Sequence, residues 1–206
     1  MDASFPWFDS RRRDFHLARY EFASRWAPGA QVLDCACGTG YGASRLVKAG
    51  AARVLGLDRE PSVLAYARRY HGSKQTYYLC GDAIHLPFAS GAFDLIVSFE
   101  TIEHVPDDEA MLSRFAGALK PEGRAVISTP NEWPLEVSPH HVRTYSMKIL
   151  LDRLNKYFGH VECYNQNSGT DWTYNHGQPA GIWPTTEENQ TLAECFIVVC
   201  REPRIG

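Results

Sequence analysis

The stretch VLDCACGTGYG at residues 32–42 decides the fold of this 206-residue chain. Its apolar start is typical of a buried strand, and its glycines indicate a tight turn at which the backbone can approach a ligand closely before a helix begins. With Ala43 the stretch satisfies the G-x-G-x-x-A fingerprint of dinucleotide-binding folds, and Asp58 ends the next strand about twenty residues later, where an acid can bind ribose hydroxyls. These features alone do not distinguish a nicotinamide cofactor from S-adenosylmethionine.

Outward from this turn, short β-rich runs alternate with amphipathic stretches. Helices are predicted to begin near residues 41, 61 and 107, and the predicted strands are 31–35, 52–57, 76–80, 93–99 and 124–128. This alternation predicts a parallel, doubly wound α/β sheet.

After residue 128 the rhythm changes. Residues 146–156 predict a helix, and residues 161–165 and 192–201 predict two strands that pair as an antiparallel, hairpin-like edge. The loop between them, 166–190, is long for a hairpin, and loops of that length are usually functional or disordered. Four large side chains crowd it, namely Trp172, Tyr174, His176 and Trp183. They suit a carbohydrate or aromatic acceptor, and equally a contact in a homodimer.

Composition and charge bound the class of protein. Hydrophobic residues make up 44% of the chain, enough for one domain over residues 1–206, and the formal net charge of −3 provides no general attraction to a nucleic acid. The six cysteines lack paired C-x-x-C spacing, so we expect reduced thiols, with Cys35, Cys80, Cys195 and Cys200 in buried strands. Neither an apolar leader nor a run of roughly 20 apolar residues is present, so we expect a cytoplasmic protein without membrane contact.

Three further features favour S-adenosylmethionine. Asp34 ends the first strand just before the glycines, where its carboxylate can meet an ammonium group but would repel a pyrophosphate. Asp82, in GDA after the third strand, can accept a hydrogen bond from an adenine amino group. The runs FDLIVS at 93–98 and LKPEGR at 119–124 supply the fourth and fifth strands. A nicotinamide-dependent oxidoreductase is therefore the weaker alternative.

The ordered set VLDCACGTGYG, GLD, GDAIHLPF, FDLIVSFETIEHV and LKPEGRAVISTPN resembles the class I S-adenosylmethionine-dependent methyltransferases. The resemblance implies an α/β fold with a doubly wound, seven-stranded Rossmann-like sheet whose last strand is antiparallel. It divides the chain into a covering segment at 1–30, a cofactor-binding core at 31–131 and an acceptor-side insert with C-terminal strands at 132–206. It also implies S-adenosyl-L-methionine as cofactor and a small-molecule acceptor, as in methyltransferases of sugar, glycan and quinone pathways.

The resemblance also implies particular cofactor contacts. They are Asp34, Gly38 and Gly40 around the methionine part, Asp58 at the ribose, Asp82 with Ala83 at the adenine, and Arg59 and Phe99 beside them. Ala36 departs from the family pattern, since it stands where the first glycine is usual and its methyl group narrows the turn slightly.

Residues 11–26 precede the sheet and predict a helix that covers it. Its apolar face carries Phe15, Ala18, Phe22 and Trp26. Arg19 falls on this face, and a buried guanidinium would need an anionic partner. The carboxylate of the cofactor's methionine part could be that partner; a protein acid or an extension to the surface would serve equally.

His104 follows the fourth strand in ETIEHV, at the edge where acceptor and methyl group should meet. Methyl transfer is an in-line displacement that chiefly needs alignment and the exclusion of water, and a base is needed only for a protonated acceptor. The near-neutral pKa of histidine suits His104 to deprotonate a hydroxyl. A hydrogen bond that merely shapes the loop is the equal alternative.

A second cluster, SPHHVRTYS at 138–146, offers His140, His141 and Tyr145 as alternative catalytic or acceptor-binding residues. Similar stretches occur in methyltransferases linked to sugars and surface glycans. Adjacent histidines point apart on an extended chain and no third ligand is evident, so we expect no metal. The structural alternative for this cluster is the start of a helix with Ser146 as its N-cap.

We therefore predict a methyltransferase for a small molecule, with an oxygen as the favoured acceptor atom and nitrogen as the alternative. A cofactor-binding module without catalysis is the third class. Nucleic-acid methylation fits poorly, because the chain has neither an Asn-Pro-Pro-Tyr type motif nor a basic face.

Overall fold

The computed structural model describes residues 10–169 and 176–204. The helices are α1 Ser10–Ser24, α2 Tyr41–Lys48, α3 Pro61–His71, α4 Asp108–Ala118 and α5 Met147–Leu154. The strands are β1 Gln31–Cys35, β2 Arg53–Asp58, β3 Thr76–Cys80, β4 Phe93–Phe99, β5 Leu119–Pro130, β6 Phe158–Asn167, β7 Gly181–Pro184 and β8 Cys195–Pro203. Trp172 and Tyr174 lie outside the described residues. Within those residues, no helix is long and apolar enough to cross a lipid bilayer.

These strands form one sheet in the order β3-β2-β1-β4-β5-β8-β6-β7. The pairs among β1 to β5 are parallel, and β8 runs antiparallel to both β5 and β6. The predicted α/β sheet with an antiparallel last strand is thus confirmed. The sheet has eight strands rather than the seven expected, because β7 pairs antiparallel with the outer side of β6.

The additional strand β7 lies inside the segment expected to be a loop. It provides hydrogen-bond partners for backbone groups along β6, where Asn167 pairs with Gly181 and Tyr164 with Pro184. Its four residues include glycine and proline and show no hydrophobic alternation, so this strand could not be predicted from the sequence pattern. The predicted antiparallel pairing of the two late strands is confirmed, but β7 and not these strands forms the sheet edge.

Side chains of the central strands are buried on both faces of the sheet. In β4, Ile96 packs in one apolar cluster with Phe115 of α4, whereas Leu95 and Val97 pack in a second cluster with Leu46 of α2. Helices therefore cover both faces, which is the arrangement that near-continuous apolar strands favour.

Helix α1 buries a face that overlaps the predicted one at Arg19 but is rotated away from Phe22. Arg19, Tyr20 and Ala23 are buried, whereas Phe22 and Trp26 are only partly buried. On the buried side, the ring of Tyr20 packs closely against Gly42 of α2.

The burial of the cysteine side chains depends on the position of their strands in the sheet. All six are free thiols, and Cys35, Cys195 and Cys200 are buried as predicted. Cys80 is exposed, which corrects the expectation of burial. It lies in β3, which forms one edge of the sheet and has a largely exposed second half.

Candidate active site

The turn between β1 and α2 is built from left-handed backbone. Ala36, Gly38 and Gly40 have φ angles of 62°, 52° and 83°, a region that glycine adopts readily and other residues rarely. A Cβ on Gly40 would lie 2.6 Å from the Tyr78 hydroxyl oxygen and 2.7 Å from the Cβ of Ala67. Both conformation and space therefore require glycine at position 40. Ala36 adopts the left-handed angle that the family's usual glycine would take.

Asp34 lies at the end of β1 with a buried carboxylate. Its Oδ1 accepts a hydrogen bond of 3.1 Å from the Tyr20 hydroxyl, whereas its Oδ2 has no partner. Burial raises the pKa of Asp34 to about 7; the Tyr20 bond lowers it and the charge of Asp58 raises it. An unpaired buried carboxylate oxygen is costly, and a cationic ammonium group would satisfy it. Asp34 therefore fits the ammonium of S-adenosylmethionine.

Asp58 and Asp82 are held by backbone N–H groups at the ends of their strands. Asp58 Oδ2 accepts from the Gly38 N–H at 2.8 Å, and its Oδ1 accepts from the Glu60 N–H at 3.0 Å. Asp82 Oδ1 accepts from the Ile84 N–H at 3.2 Å. Carboxylate oxygens can accept further hydrogen bonds, so the predicted ribose and adenine contacts are compatible with this arrangement.

The other predicted cofactor contacts lie along the same edge. Arg59 Nε is 3.8 Å from Asp82 Oδ2 and its side chain is 75% exposed, a geometry that contributes little stability. Ala83 is buried, and Phe99 at the end of β4 is partly exposed. The structure thus gathers the predicted contacts around the carboxyl ends of β1 to β4.

Tyr20, next to Arg19 on α1, is a site residue that the predicted contacts do not include. Its ring lies directly over Gly42, where a Cβ would be 2.0 Å from the ring. It also packs edge-on against Tyr41 and Phe99, with ring centroids 5.4 and 4.9 Å apart, while its hydroxyl binds Asp34. The available signal was the third glycine of the turn, whose missing side chain makes room for the ring.

Arg19 is fully buried and engaged mainly by protein groups. Its Nε donates to Gln166 Oε1 at 2.7 Å, and its Nη1 lies 3.3 Å from Glu100 Oε1. Its Nη2 has no hydrogen-bond partner. The protein acid foreseen as one partner is thus Glu100, while the contact of Arg19 with the cofactor carboxylate stays a prediction.

On the acceptor side, a short 3₁₀ turn after β4 presents Glu103 and His104. Glu103 is buried; its Oε2 accepts from Thr129 Oγ1 at 3.1 Å and its Oε1 has no partner. Burial and the charge of Glu100 raise the pKa of Glu103 well above its ordinary value. The His104 side chain is 40% exposed, and its ring centroid lies 4.7 Å from that of His141.

The insert is tied to this turn by backbone hydrogen bonds. The Val142 N–H donates to the Glu103 carbonyl at 2.8 Å, and His104 Nδ1 lies 2.9 Å from the His140 carbonyl oxygen. Arg143 donates to backbone carbonyls just beyond the turn. These contacts fix the positions of His104 and His141 relative to each other.

The remaining predicted residues of the insert are placed differently. His140 is exposed. Tyr145 has no exposed surface, its hydroxyl donates to Asp108 Oδ2 at 2.7 Å, and burial raises its pKa. An acceptor would have to displace core side chains to reach that hydroxyl. The structural alternative for the cluster is observed, since Ser146 caps α5 by accepting from the Ile149 N–H.

Known proteins match this chain in sequence and in fold. A family model described as a methyltransferase domain matches residues 33–127. The "Probable S-adenosylmethionine-dependent methyltransferase" of Mycolicibacterium smegmatis is 30% identical over 145 residues, which cover 68% of this chain and 55% of that protein. The ubiquinone biosynthesis O-methyltransferase of Coxiella burnetii is 36% identical over 105 residues, which cover 50% of this chain and 44% of that protein. The chain thus spans about half the length of these relatives.

The fold is shared with solved methyltransferases. A TehB-like S-adenosylmethionine-dependent methyltransferase from Corynebacterium glutamicum matches with a TM-score of 0.67 and 22% identity, over 95% of this chain and 96% of that one. This likeness shows the fold. Residues 33–127 carry the methyltransferase domain of the class I S-adenosylmethionine-dependent methyltransferases, whose cofactor is S-adenosylmethionine.

Proposed function

We propose that the chain transfers the methyl group of S-adenosylmethionine to a hydroxyl oxygen of a small molecule bound at the carboxyl end of β4. The proposal rests on the tautomer of the half-exposed His104 ring, that is, on which ring nitrogen carries the proton. Its Nδ1 faces the His140 carbonyl oxygen at 2.9 Å, and a carbonyl oxygen only accepts hydrogen bonds. Nδ1 therefore carries the proton, and Nε2 of the neutral ring keeps a lone pair that can take the proton of a hydroxyl.

Residues on the cofactor side would orient the donor. S-adenosylmethionine supplies an electrophilic methyl group on a sulfonium. Asp34 would bind the ammonium through its unpaired Oδ2, Asp58 would bind the ribose hydroxyls, and Asp82 would accept from the adenine amino group. Tyr20 closes α1 over the turn and excludes water from it. In-line displacement depends on this alignment more than on any further chemical group.

A chemical argument supports oxygen as the acceptor atom. A neutral amine already has the lone pair that attacks the methyl group, so a base beside the site serves a hydroxyl better than an amine.

The proposal is tested by supplying cofactor with a labelled methyl group together with matched acceptor sets. One set contains phenols and sugars with free hydroxyls, and the other contains the corresponding amines. Mass spectrometry should show methyl ethers, with S-adenosylhomocysteine formed in equal amount. Labelling of amines alone would move the acceptor atom to nitrogen, and cofactor binding without transfer to any acceptor would leave a binding module.

A further inference from the structure

Three side chains that commonly bind metals converge beyond the end of β4 from two segments of the chain. Glu103 and His104 belong to the turn after β4, and His141 belongs to the insert. Their ligand atoms all lie within 4.8 Å of one another, and Glu103 Oε1 lies 4.0 Å from His104 Nε2. With metal–ligand bonds of about 2.1 Å, tetrahedral ligand atoms lie about 3.4 Å apart. Shifts of about an ångström would therefore close these three around one ion.

The unpaired oxygen of Glu103 is an independent observation that points to a cation. The residue is 1% exposed, and its Oε1 lies beside His104 Nε2 without a hydrogen-bond partner. Arg19 is close enough to act on this carboxylate, but its Nη1 pairs with Glu100. One guanidinium thus faces two carboxyl groups, and the ionised form of Glu103 lacks a positive partner, which a cation would supply.

The orientation of His104 is also that of a metal ligand. A ligating histidine usually donates its second ring N–H to a carbonyl or a carboxylate, which fixes the tautomer and aims the other nitrogen at the metal. His104 Nδ1 has such a partner in the His140 carbonyl, which leaves Nε2 facing Glu103. The Val142 and Arg143 hydrogen bonds to the same turn hold His141 in place opposite it.

We propose that Glu103, His104 and His141 bind one divalent transition-metal cation of the Zn²⁺ or Mn²⁺ type, with an open coordination position for the acceptor. Two imidazoles and one carboxylate suit these ions better than Ca²⁺ or Mg²⁺, which prefer oxygen ligands. The sequence argued against a metal because His140 and His141 cannot share an ion. In the structure the partner of His141 is His104, and the missing third ligand is Glu103.

The cation would also change how an acceptor hydroxyl is activated, a consequence that rests on the proposed function. A hydroxyl bound to the cation loses its proton to water more readily, because the metal stabilises the resulting alkoxide. The alkoxide oxygen then bonds to the methyl carbon as the sulfur–carbon bond breaks, which yields the methyl ether and S-adenosylhomocysteine. His104 would serve as a ligand in this form, and solvent would accept the proton.

The test measures metal binding directly, without cofactor or acceptor. The full chain is stripped with a chelator and dialysed against Zn²⁺ or Mn²⁺; bound metal is counted by plasma mass spectrometry, and affinity is measured by calorimetry. One ion per chain is expected. Glu103→Gln and His141→Ala should each weaken binding by at least roughly a hundredfold. His140→Ala removes the adjacent imidazole but keeps the backbone carbonyl, so it should retain the wild-type affinity.

Lack of stoichiometric binding would overturn the site, as would equal losses in His140→Ala and His141→Ala. Circular dichroism melting checks the fold of each variant, and if Glu103→Gln does not fold, the half-buried His141 carries the test. Metal bound as expected without methylation of any hydroxyl would refute the proposed function and leave the site standing. Hydroxyl methylation by a chain that binds no metal would refute the metal site and leave the proposed function standing.

Discussion

The two halves of the cleft hold their charged groups in different ways. On the cofactor side, Asp34, Asp58 and Asp82 stand singly at the ends of adjacent strands, and each is engaged by a tyrosine or by nearby backbone N–H groups. The parallel sheet itself brings these acids together, because the carboxyl ends of its strands share one edge. Each acid should therefore contribute to cofactor affinity by itself.

The acceptor side is assembled from segments far apart in the chain. Arg19 of α1 contacts Gln166 of β6, and the turn with Glu103 and His104 is bonded to the insert that carries His141. Its charged groups share partners, so substitutions there should act jointly and change turnover more than cofactor affinity. The following experiments test this difference, from the largest expected effect to the smallest.

His104→Ala tests the acceptor side most strongly. If its Nε2 removes the proton of a hydroxyl acceptor, turnover at neutral pH should fall by roughly 10²- to 10⁴-fold while cofactor affinity is retained. The deficit should shrink as the pH rises, because more of the acceptor is then already ionised. Steady-state kinetics and calorimetry with S-adenosylhomocysteine measure the two quantities.

A matched control is His160→Ala on β6, since its side chain is 45% exposed compared with 40% for His104. It should leave both quantities unchanged. Near-normal turnover of His104→Ala would exclude the base, and a loss of cofactor affinity in this variant would show that the two halves are not separable.

The cofactor side should discriminate strongly against a dinucleotide. The chain should bind S-adenosylmethionine or S-adenosylhomocysteine at least roughly a hundredfold more tightly than NAD, a difference of about 2.7 kcal/mol. The buried Asp34 carboxylate attracts the ammonium and repels a pyrophosphate. Calorimetry gives both dissociation constants, and equal affinities would contradict the assignment of Asp34.

Asp58→Ala should weaken cofactor binding by about 1.5 to 3 kcal/mol through the loss of a charge-assisted ribose contact. Asp58→Asn is the matched variant, because it keeps an oxygen that can accept from the Gly38 N–H while it removes the charge. It should lose less affinity than the alanine variant. Unchanged dissociation constants in a folded alanine variant would reduce Asp58 to a support for the turn.

The strand-end positions of the acids on the cofactor side were predicted from sequence because that information is local. β1, β3 and β4 have the bounds that their apolar runs predict, Asp34 and Asp58 lie at the ends of their strands, and Asp82 comes shortly after β3. The acceptor side was not, because its contacts join residues such as Arg19 and Gln166, which are 147 positions apart. Spacing in the sequence shows neither that pair nor the approach of His141 to Glu103.

Cofactor affinity should depend on pH through Asp34, whose pKa is about 7 in the free protein. Because this carboxyl has a raised pKa, the folded chain binds its proton more tightly than the unfolded chain does, and ionising it costs stability as the pH rises toward 7. The ammonium needs the ionised carboxylate, so the affinity should fall by up to about tenfold per pH unit below pH 7 and should level off above it until the ammonium itself loses its proton.

Two substitutions check that the dependence belongs to Asp34. Asp34→Asn should flatten the pH profile of the dissociation constant. Tyr20→Phe removes a hydrogen bond that lowers the pKa of Asp34, so the inflection should move to higher pH. A pH profile that Asp34→Asn leaves unaltered would assign the titration to another group.

The smallest expected effect concerns the glycine turn itself. Ala36 is exposed with φ of 62°, which costs an L-residue about 1 to 2 kcal/mol, whereas glycine loses about 0.5 to 1 kcal/mol more backbone entropy on folding. Ala36→Gly should therefore raise the free energy of unfolding by up to about 1 kcal/mol in urea titrations without cofactor. Gly29→Ala is the mirror control: Gly29 is exposed with φ of 73°, and a Cβ there would meet no atom within 4 Å, so the substitution should lower stability by about the same amount. A loss in Gly29→Ala without a gain in Ala36→Gly would show that the methyl group of Ala36 makes a contact that offsets its backbone conformation.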